Sequence, residues 1–129
     1  MSLVRAQFRE FMKILFFDDC PYRWKKFQDL NPTANADWAS SYGEGVTLLS
    51  TTQYDMAYLD HDLGESYTGK DFVNYIVKNK IPISNLVCHS MNNQGRENMN
   101  STLYSHGYQS INCPFAWTTT VDTILSQMT

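Results

Sequence analysis

The sequence Leu59-Asp60-His61-Asp62-Leu63-Gly64 decides how this chain is interpreted. It follows a short apolar run that is typical of a buried strand. Two other apolar runs end in the same way: Ile14–Phe17 is followed by Asp18-Asp19, and Asn85–Cys88 is followed by His89-Ser90. Strands that each end in ionisable or hydroxyl side chains predict one composite polar site.

The bulk composition is that of a globular protein. The chain has 129 residues, of which 43% are hydrophobic and 18% charged, so we expect one domain over residues 12–129 and an N-terminal extension over residues 1–11. A net charge of -3 without a Lys or Arg run argues against binding to a nucleic-acid duplex. The sequence has no apolar run of the roughly 18 residues that cross a membrane and no signal peptide. The cysteines are odd in number and irregularly spaced, which favours reduced thiols and a cytoplasmic location.

The hydrophobic pattern predicts alternating strands and helices. The predicted strands are Lys13–Phe17, Asp37–Ser40, Tyr54–Leu59, Asn85–Cys88 and Tyr108–Asn112. The predicted helices between and after them are Pro21–Leu30, Gly45–Leu49, Lys70–Asn79, Asn92–Ser105 and Thr118–Met128. This alternation predicts an α/β fold, a five-stranded doubly wound parallel sheet in a flavodoxin-like three-layer sandwich. In the strand order 2-1-3-4-5, the crevice lies at the carboxyl ends of strands 1 and 3, where the polar clusters would share one rim.

The acidic residues at this rim predict a metal site. Asp18, Asp19 and Asp60 would repel one another and raise each other's pKa if they stood alone. A divalent cation that prefers oxygen ligands relieves this repulsion, and Mg²⁺ suits carboxylates together with a phosphate. Asp19 has a second interpretation, as the cap of the helix that begins at Pro21, and the two roles are compatible.

His61 and His89 are candidates for acid–base chemistry. A histidine pair can divide the proton transfers of phosphoester cleavage, with Asp60 and Asp62 orienting the rings or a metal. A structural alternative is that each histidine only binds a neighbouring aspartate and stiffens its loop. His106 is expected to be a helix-end residue without a catalytic role.

The start of the fourth predicted helix is a candidate phosphate site. Asn92 and Arg96 lie four residues apart on one helix face, and Ser90 lies two residues before Asn92. Helix N-termini and arginine side chains both bind anions. The alternative for Arg96 is an ion pair with Glu97 or another surface carboxylate.

Several of these residues resemble the two-component receiver domain. In receivers, acids in the positions of Asp18 and Asp19 bind Mg²⁺, an aspartate in the position of Asp60 accepts a phosphoryl group, and a hydroxyl residue in the position of Ser90 contacts it. Asn112-Cys113-Pro114 stands where receivers carry Lys-Pro.

Two stretches are more specifically similar to the cyclic-phosphate processing receiver domains. They are Leu59–Gly64 and His89–Met99. This resemblance implies a receiver-like fold and action on a cyclic phosphate of a nucleotide or related metabolite. The leading hypothesis is therefore a phosphoesterase for a small-molecule phosphate. The alternatives are a non-catalytic receiver that binds a phosphorylated ligand or a protein partner, and a response-regulator switch that is phosphorylated on Asp60.

Overall fold

The computed structural model describes residues 12–128. Its five strands are β1 (Lys13–Phe17), β2 (Asn35–Ala39), β3 (Met56–Leu59), β4 (Asn85–Cys88) and β5 (Ser110–Asn112). They form one parallel sheet in the order β2-β1-β3-β4-β5. The predicted fold class and strand order are confirmed.

Helices cover both faces of the sheet. They are α1 (Pro21–Leu30), α2 (Tyr42–Thr51), α3 (Gly69–Lys78), α4 (Asn93–Ser105) and α5 (Val121–Ser126), with a 3₁₀ turn at Ala116–Thr118. Successive strand residues point to opposite faces. Leu15 therefore packs in the core layer under α2, α3 and α4, whereas Phe16 packs in the layer under α1 and α5. The result is the predicted three-layer sandwich.

Three strands begin at other residues than predicted: β3 begins at Met56 rather than Tyr54, and the edge strands β2 and β5 also differ. β2 begins at Asn35 rather than Asp37, because Asn35 already pairs with Lys13 of β1. β5 begins at Ser110 rather than Tyr108. The backbone N–H of Tyr108 instead donates a hydrogen bond to the carbonyl of Leu103, in the last turn of α4. The predicted extension over residues 1–11 lies outside the described residues.

The helix caps explain two further differences. Ser41 accepts a hydrogen bond from the Glu44 backbone N–H, so α2 begins earlier than predicted. Thr120 caps α5 in the same way, through the Thr123 N–H, and α5 therefore begins after it. Between residues 12 and 128, none of the helices has the length and apolarity needed to cross a membrane.

Candidate functional site

The carboxylate of Asp18, directly after β1, is the anchor of the site. Its Oδ1 accepts hydrogen bonds from the Cys20 N–H at 2.9 Å and from Arg23 Nη2 at 2.8 Å. Its Oδ2 accepts from Arg23 Nε at 2.8 Å and from His89 Nε2 at 2.7 Å. Burial of Asp18 would raise its pKa, but the hydrogen bonds from His89 and Arg23 outweigh burial and lower it. Asp18 is therefore a buried, ionised group that connects Arg23 of α1 to His89 at the end of β4.

Arg23 is the cation of the site, and the sequence analysis did not identify it. It is the third residue of α1, where a positive charge opposes the helix dipole. Its Nη2 lies 3.4 Å from Asp60 Oδ2 and 3.6 Å from Asp19 Oδ1, in addition to its contacts with Asp18. The hydrogen bonds to Asp18 raise the pKa of Arg23 above its ordinary value. A cation in the first turn of a helix, five residues after a strand-end aspartate, is the signal that could have revealed it.

His89 is paired with Asp18 at the end of β4. The ring is 1% exposed and stacks on Phe16, with the ring centroids 5.4 Å apart. An ionised carboxylate only accepts hydrogen bonds, so we assign the ring proton to Nε2 from its bond to Asp18. In the neutral imidazole Nδ1 is then an acceptor, and it is buried without a hydrogen-bond partner in the described part of the chain.

His61 has a carboxylate partner of its own. Its Nδ1 lies 2.8 Å from Asp62 Oδ1, and this hydrogen bond lowers the pKa of Asp62. Asn92 Nδ2 lies 3.4 Å from each Asp62 oxygen and 3.5 Å from His61 Nδ1. The ring also packs closely on Gly95, where an added Cβ would lie 2.5 Å from His61 Cγ. His61 is therefore held between Asp62 and the first turn of α4.

The carboxyl group of Asp60 has a raised pKa. It is 4% exposed, and burial together with the nearby charge of Asp18 raises its pKa to about 6. The loop after it is tightly packed, because the Gly69 N–H donates to the His61 carbonyl and a Cβ on Gly69 would lie 2.0 Å from the Asp60 carbonyl oxygen. Asp60 can therefore gain or lose a proton near neutral pH, as acid–base catalysts do.

A cavity of about 150 Å³ joins these groups. It is lined by Arg23, Asp60, Asp62, His89, Ser90, Met91 and Trp117. The structure thus brings together four of the predicted site residues, Asp60, Asp62, His89 and Ser90. His61 does not line the cavity but is hydrogen-bonded to Asp62, which does. Trp117 and Met91, like Arg23, were not predicted.

A larger cavity of about 320 Å³ lies at the opposite end of the sheet, beside Met12, Leu30 and Val121. Its lining contains a single ionisable residue, Asp122. The charged groups converge on the smaller cavity, which is therefore the candidate functional site.

Asn92 and Arg96 organise the turn between β4 and α4. Asn92 Oδ1 caps α4 by accepting from the Gly95 N–H at 2.9 Å, and Ser90 Oγ accepts from the Asn92 N–H at 3.1 Å. Arg96 is buried, and it donates from Nη1 to the Ser90 carbonyl at 2.6 Å and from Nε to Asn112 Oδ1. The alternative in which Arg96 pairs with a surface carboxylate is wrong, because its partners are a carbonyl and an amide oxygen. Its predicted contact with phosphate stays a prediction.

The predicted metal ligands are arranged around Arg23. Ligand atoms of Asp18, Asp60 and His89 lie within 4.8 Å of one another. A carboxylate offers about four lone-pair positions, and the hydrogen bonds to Asp18 already use that number. Asp19, the third predicted ligand, does not cap α1, whose N-cap is Cys20. This arrangement does not fit Mg²⁺, which demands a nearly octahedral shell of free oxygen ligands.

Comparison with known proteins decides the family. A family model described as the cyclic-phosphate processing receiver domain matches residues 13–105. The chain belongs to this family. A comparison with curated proteins finds no match.

Solved structures show the fold of this cyclic-phosphate processing receiver domain. The CheY-like receiver domain of Methylobacillus flagellatus is 18% identical, with a TM-score of 0.69 over 92% of this chain and 98% of that one. TrrA of Thermotoga maritima, solved in complex with Mg(2+)-BeF, is 17% identical, with a TM-score of 0.67 over 92% and 99%. The HemR receiver domain of Leptospira biflexa is 17% identical, with a TM-score of 0.67 over 91% and 90%.

The turn after β5 sets this cyclic-phosphate processing receiver domain apart from the receiver pattern. Asn112, the last residue of β5, accepts a hydrogen bond from Arg96. Cys113 stands in the position of the receiver lysine, and burial raises its pKa, so its thiol is neutral. The positive charge that lines the cavity comes instead from Arg23 of α1.

Proposed function

We propose that this domain opens a cyclic phosphate by acid–base catalysis, with His61 and His89 as the proton-transfer groups. The observation that carries the proposal is that each histidine has its own carboxylate partner at one polar cavity. Asp18 holds His89, and Asp62 holds His61. A carboxylate that fixes the tautomer and orientation of an imidazole is the arrangement used in acyl-transfer enzymes.

His89 is the general base of the proposed reaction. Its Nδ1, free of other hydrogen bonds among residues 12–128, takes a proton from the attacking water. The water oxygen then forms a bond to phosphorus. The imidazolium that results is stabilised by Asp18, whose lowered pKa keeps the carboxylate ionised.

His61 is the general acid. As the P–O bond of the ring breaks, the leaving oxygen receives a proton from His61, which Asp62 and Asn92 hold at the rim. Asp60, when protonated, donates a hydrogen bond to a phosphoryl oxygen, and the Ser90 hydroxyl donates another. The product is a phosphomonoester, and the proton taken up by His89 and the proton lost by His61 balance.

The test is turnover of cyclic phosphates by histidine variants. The protein is incubated with 2′,3′-cyclic nucleotides and other cyclic phosphates, and phosphomonoester formation is followed by phosphorus NMR. We expect His61→Ala and His89→Ala each to lower kcat about 10²- to 10⁴-fold. His106→Ala is the matched control, since His106 is the C-cap of α4. Within residues 12–128, its ring nitrogen Nδ1 pairs with the Thr102 carbonyl and the Ser105 hydroxyl. Turnover that survives in both variants would refute the assignment.

One observation favours a second function, binding without turnover. His89 is 1% exposed, so a substrate reaches Nδ1 only through the small cavity. A domain that holds the phosphoryl group of a ligand or of a partner protein would use the same residues. Calorimetric binding of cyclic nucleotides with no product over a broad panel would support this function. A mass increase of one phosphoryl group after acetyl phosphate treatment, absent in Asp60→Asn, would instead support a phosphorylated switch.

A further inference from the structure

We propose that Arg23 takes the place of a divalent cation in this site and binds the phosphoryl group directly, so that the site acts without a metal. The proposal rests on the proposed function only for the identity of the anion as a phosphate. It assigns a role to a residue that lines the cavity and that lies outside the strand ends.

The hydrogen bonds of the guanidinium leave one nitrogen for a ligand. Arginine has five N–H donors. Nε donates to Asp18, and Nη2 donates to Asp18 and faces Asp60 and Asp19. The two N–H groups of Nη1 have no hydrogen-bond partner within residues 12–128. The side chain is 24% exposed and lines the cavity, so these donors are accessible to an anion.

A divalent cation would have to displace this guanidinium. Asp18 has no lone pair left for it, and the two bonds from Arg23 to Asp18 are short, charge-assisted and bidentate. The guanidinium also lies within 4 Å of Asp19 and Asp60, the other two predicted metal ligands. Arg23 therefore supplies the positive charge that a metal would otherwise bring to these carboxylates.

Two side chains that line the cavity each carry a buried polar atom without a partner in the described chain, which indicates that a ligand belongs there. The atoms are Nδ1 of His89 and Nε1 of Trp117. Buried polar groups are seldom left unpaired, because each costs about 1–3 kcal/mol. The indole N–H only donates, so it fits a phosphoryl oxygen beside Arg23. The His89 nitrogen accepts, so it fits the attacking water.

The first test measures whether the site binds a divalent cation. Mn²⁺ is titrated into the wild-type protein and into Arg23→Ala, and free Mn²⁺ is followed by electron paramagnetic resonance. We expect no saturable site in the wild type and one site in Arg23→Ala, which is lost again in Arg23→Ala/Asp18→Asn. Saturable binding by the wild type that Asp60→Asn abolishes would overturn the proposal.

The second test measures anion binding by calorimetry with inorganic phosphate. We expect Arg23→Ala to weaken phosphate binding about tenfold to a hundredfold, the range for hydrogen bonds to charged groups. Arg23→Lys, which keeps the charge, should retain part of the affinity and serves as the fallback if Arg23→Ala does not fold. Lys25→Ala is the matched control, since Lys25 lies on the same helix and, within residues 12–128, pairs only with Asp29. Unchanged affinity in Arg23→Lys and Arg23→Ala would overturn the proposal.

The two proposals fail separately. Turnover that requires Mg²⁺ and stops in EDTA would overturn the role of Arg23 and leave the phosphoesterase standing. Absence of turnover would refute the phosphoesterase, while the Mn²⁺ and phosphate titrations would still decide the role of Arg23.

Discussion

Gly95→Ala tests the position of His61 with a single methyl group. Gly95 is the third residue of α4, and an added Cβ would lie 2.5 Å from His61 Cγ and 2.7 Å from both Cδ2 and Nδ1. Ordinary van der Waals contact begins at 3.4 Å, so the ring must move by 0.9 Å, the difference between 3.4 and 2.5 Å. The substitution therefore displaces a proposed catalytic ring without removing any of its atoms.

The expected energies follow from two opposing effects. Replacing glycine by alanine in a helix stabilises it by up to about 1 kcal/mol. Overpacking against a partly buried ring such as that of His61 costs about 1–3 kcal/mol. Gly43→Ala is the matched control, because Gly43 also lies in the first turn of a helix and a Cβ there meets nothing within 4 Å. The control should gain stability, and Gly95→Ala should fall below it by the overpacking cost, about 1–3 kcal/mol.

Urea unfolding measures the stability difference, and two-dimensional NMR of the imidazole nitrogens reports the His61 ring. If His61 is the general acid, a shift of nearly 1 Å should lower kcat about 10²-fold, with little change in the control. Equal stabilisation in the two variants, together with unchanged His61 signals, would refute the packing of His61 on Gly95.

Two further predictions concern Asp60 and Arg96. Because the pKa of Asp60 is raised from 3.8 to about 6, its contribution to stability is fully present below pH 3.8 and lost as the pH rises through about 6. Asp60→Asn should therefore gain stability relative to the wild type between about pH 4 and pH 7.5, by up to about 3 kcal/mol in urea unfolding, and a difference independent of pH would contradict the shift. Arg96→Lys cannot bridge the Ser90 carbonyl and Asn112, so it should lower the free energy of unfolding by about 1–3 kcal/mol. Unchanged stability with weakened phosphate binding would show that Arg96 contacts the ligand instead.

The central strands were predictable because they are buried on both faces. Ile14–Phe17 and Asn85–Cys88 are nearly continuous apolar runs, as parallel strands covered by helices must be. β2 and β5 lie at the edges, where only one neighbour sets their length, and their sequences are more polar. Their first residues, Asn35 and Ser110, were each misplaced by two positions, and so was the first residue of the inner strand β3, which is Met56 rather than Tyr54.

The convergence of the polar residues was predictable, but their pairing was not. Parallel strands of a known order bring their carboxyl ends to one edge, so the approach of Asp60 to Asp18 followed from the topology. Which carboxylate binds His89 depends on side-chain positions 71 residues apart, and it is Asp18 rather than Asp60. Arg23 lies within α1, away from the strand ends that indicated the site, although its unfavourable position in the dipole of α1 was visible in the sequence.

The strands that carry the site, β1, β3 and β4, are the three inner strands of the sheet. Inner strands exchange their amide hydrogens only in the largest opening events, whereas edges and loops open locally at lower free energy. Asp18, Asp60 and His89 each follow such a strand directly. Fraying of β2 or β5 therefore leaves the pairing of Asp18 with His89 intact. On heating, the site and the fold should be lost in one transition, without an inactive but otherwise folded form before it.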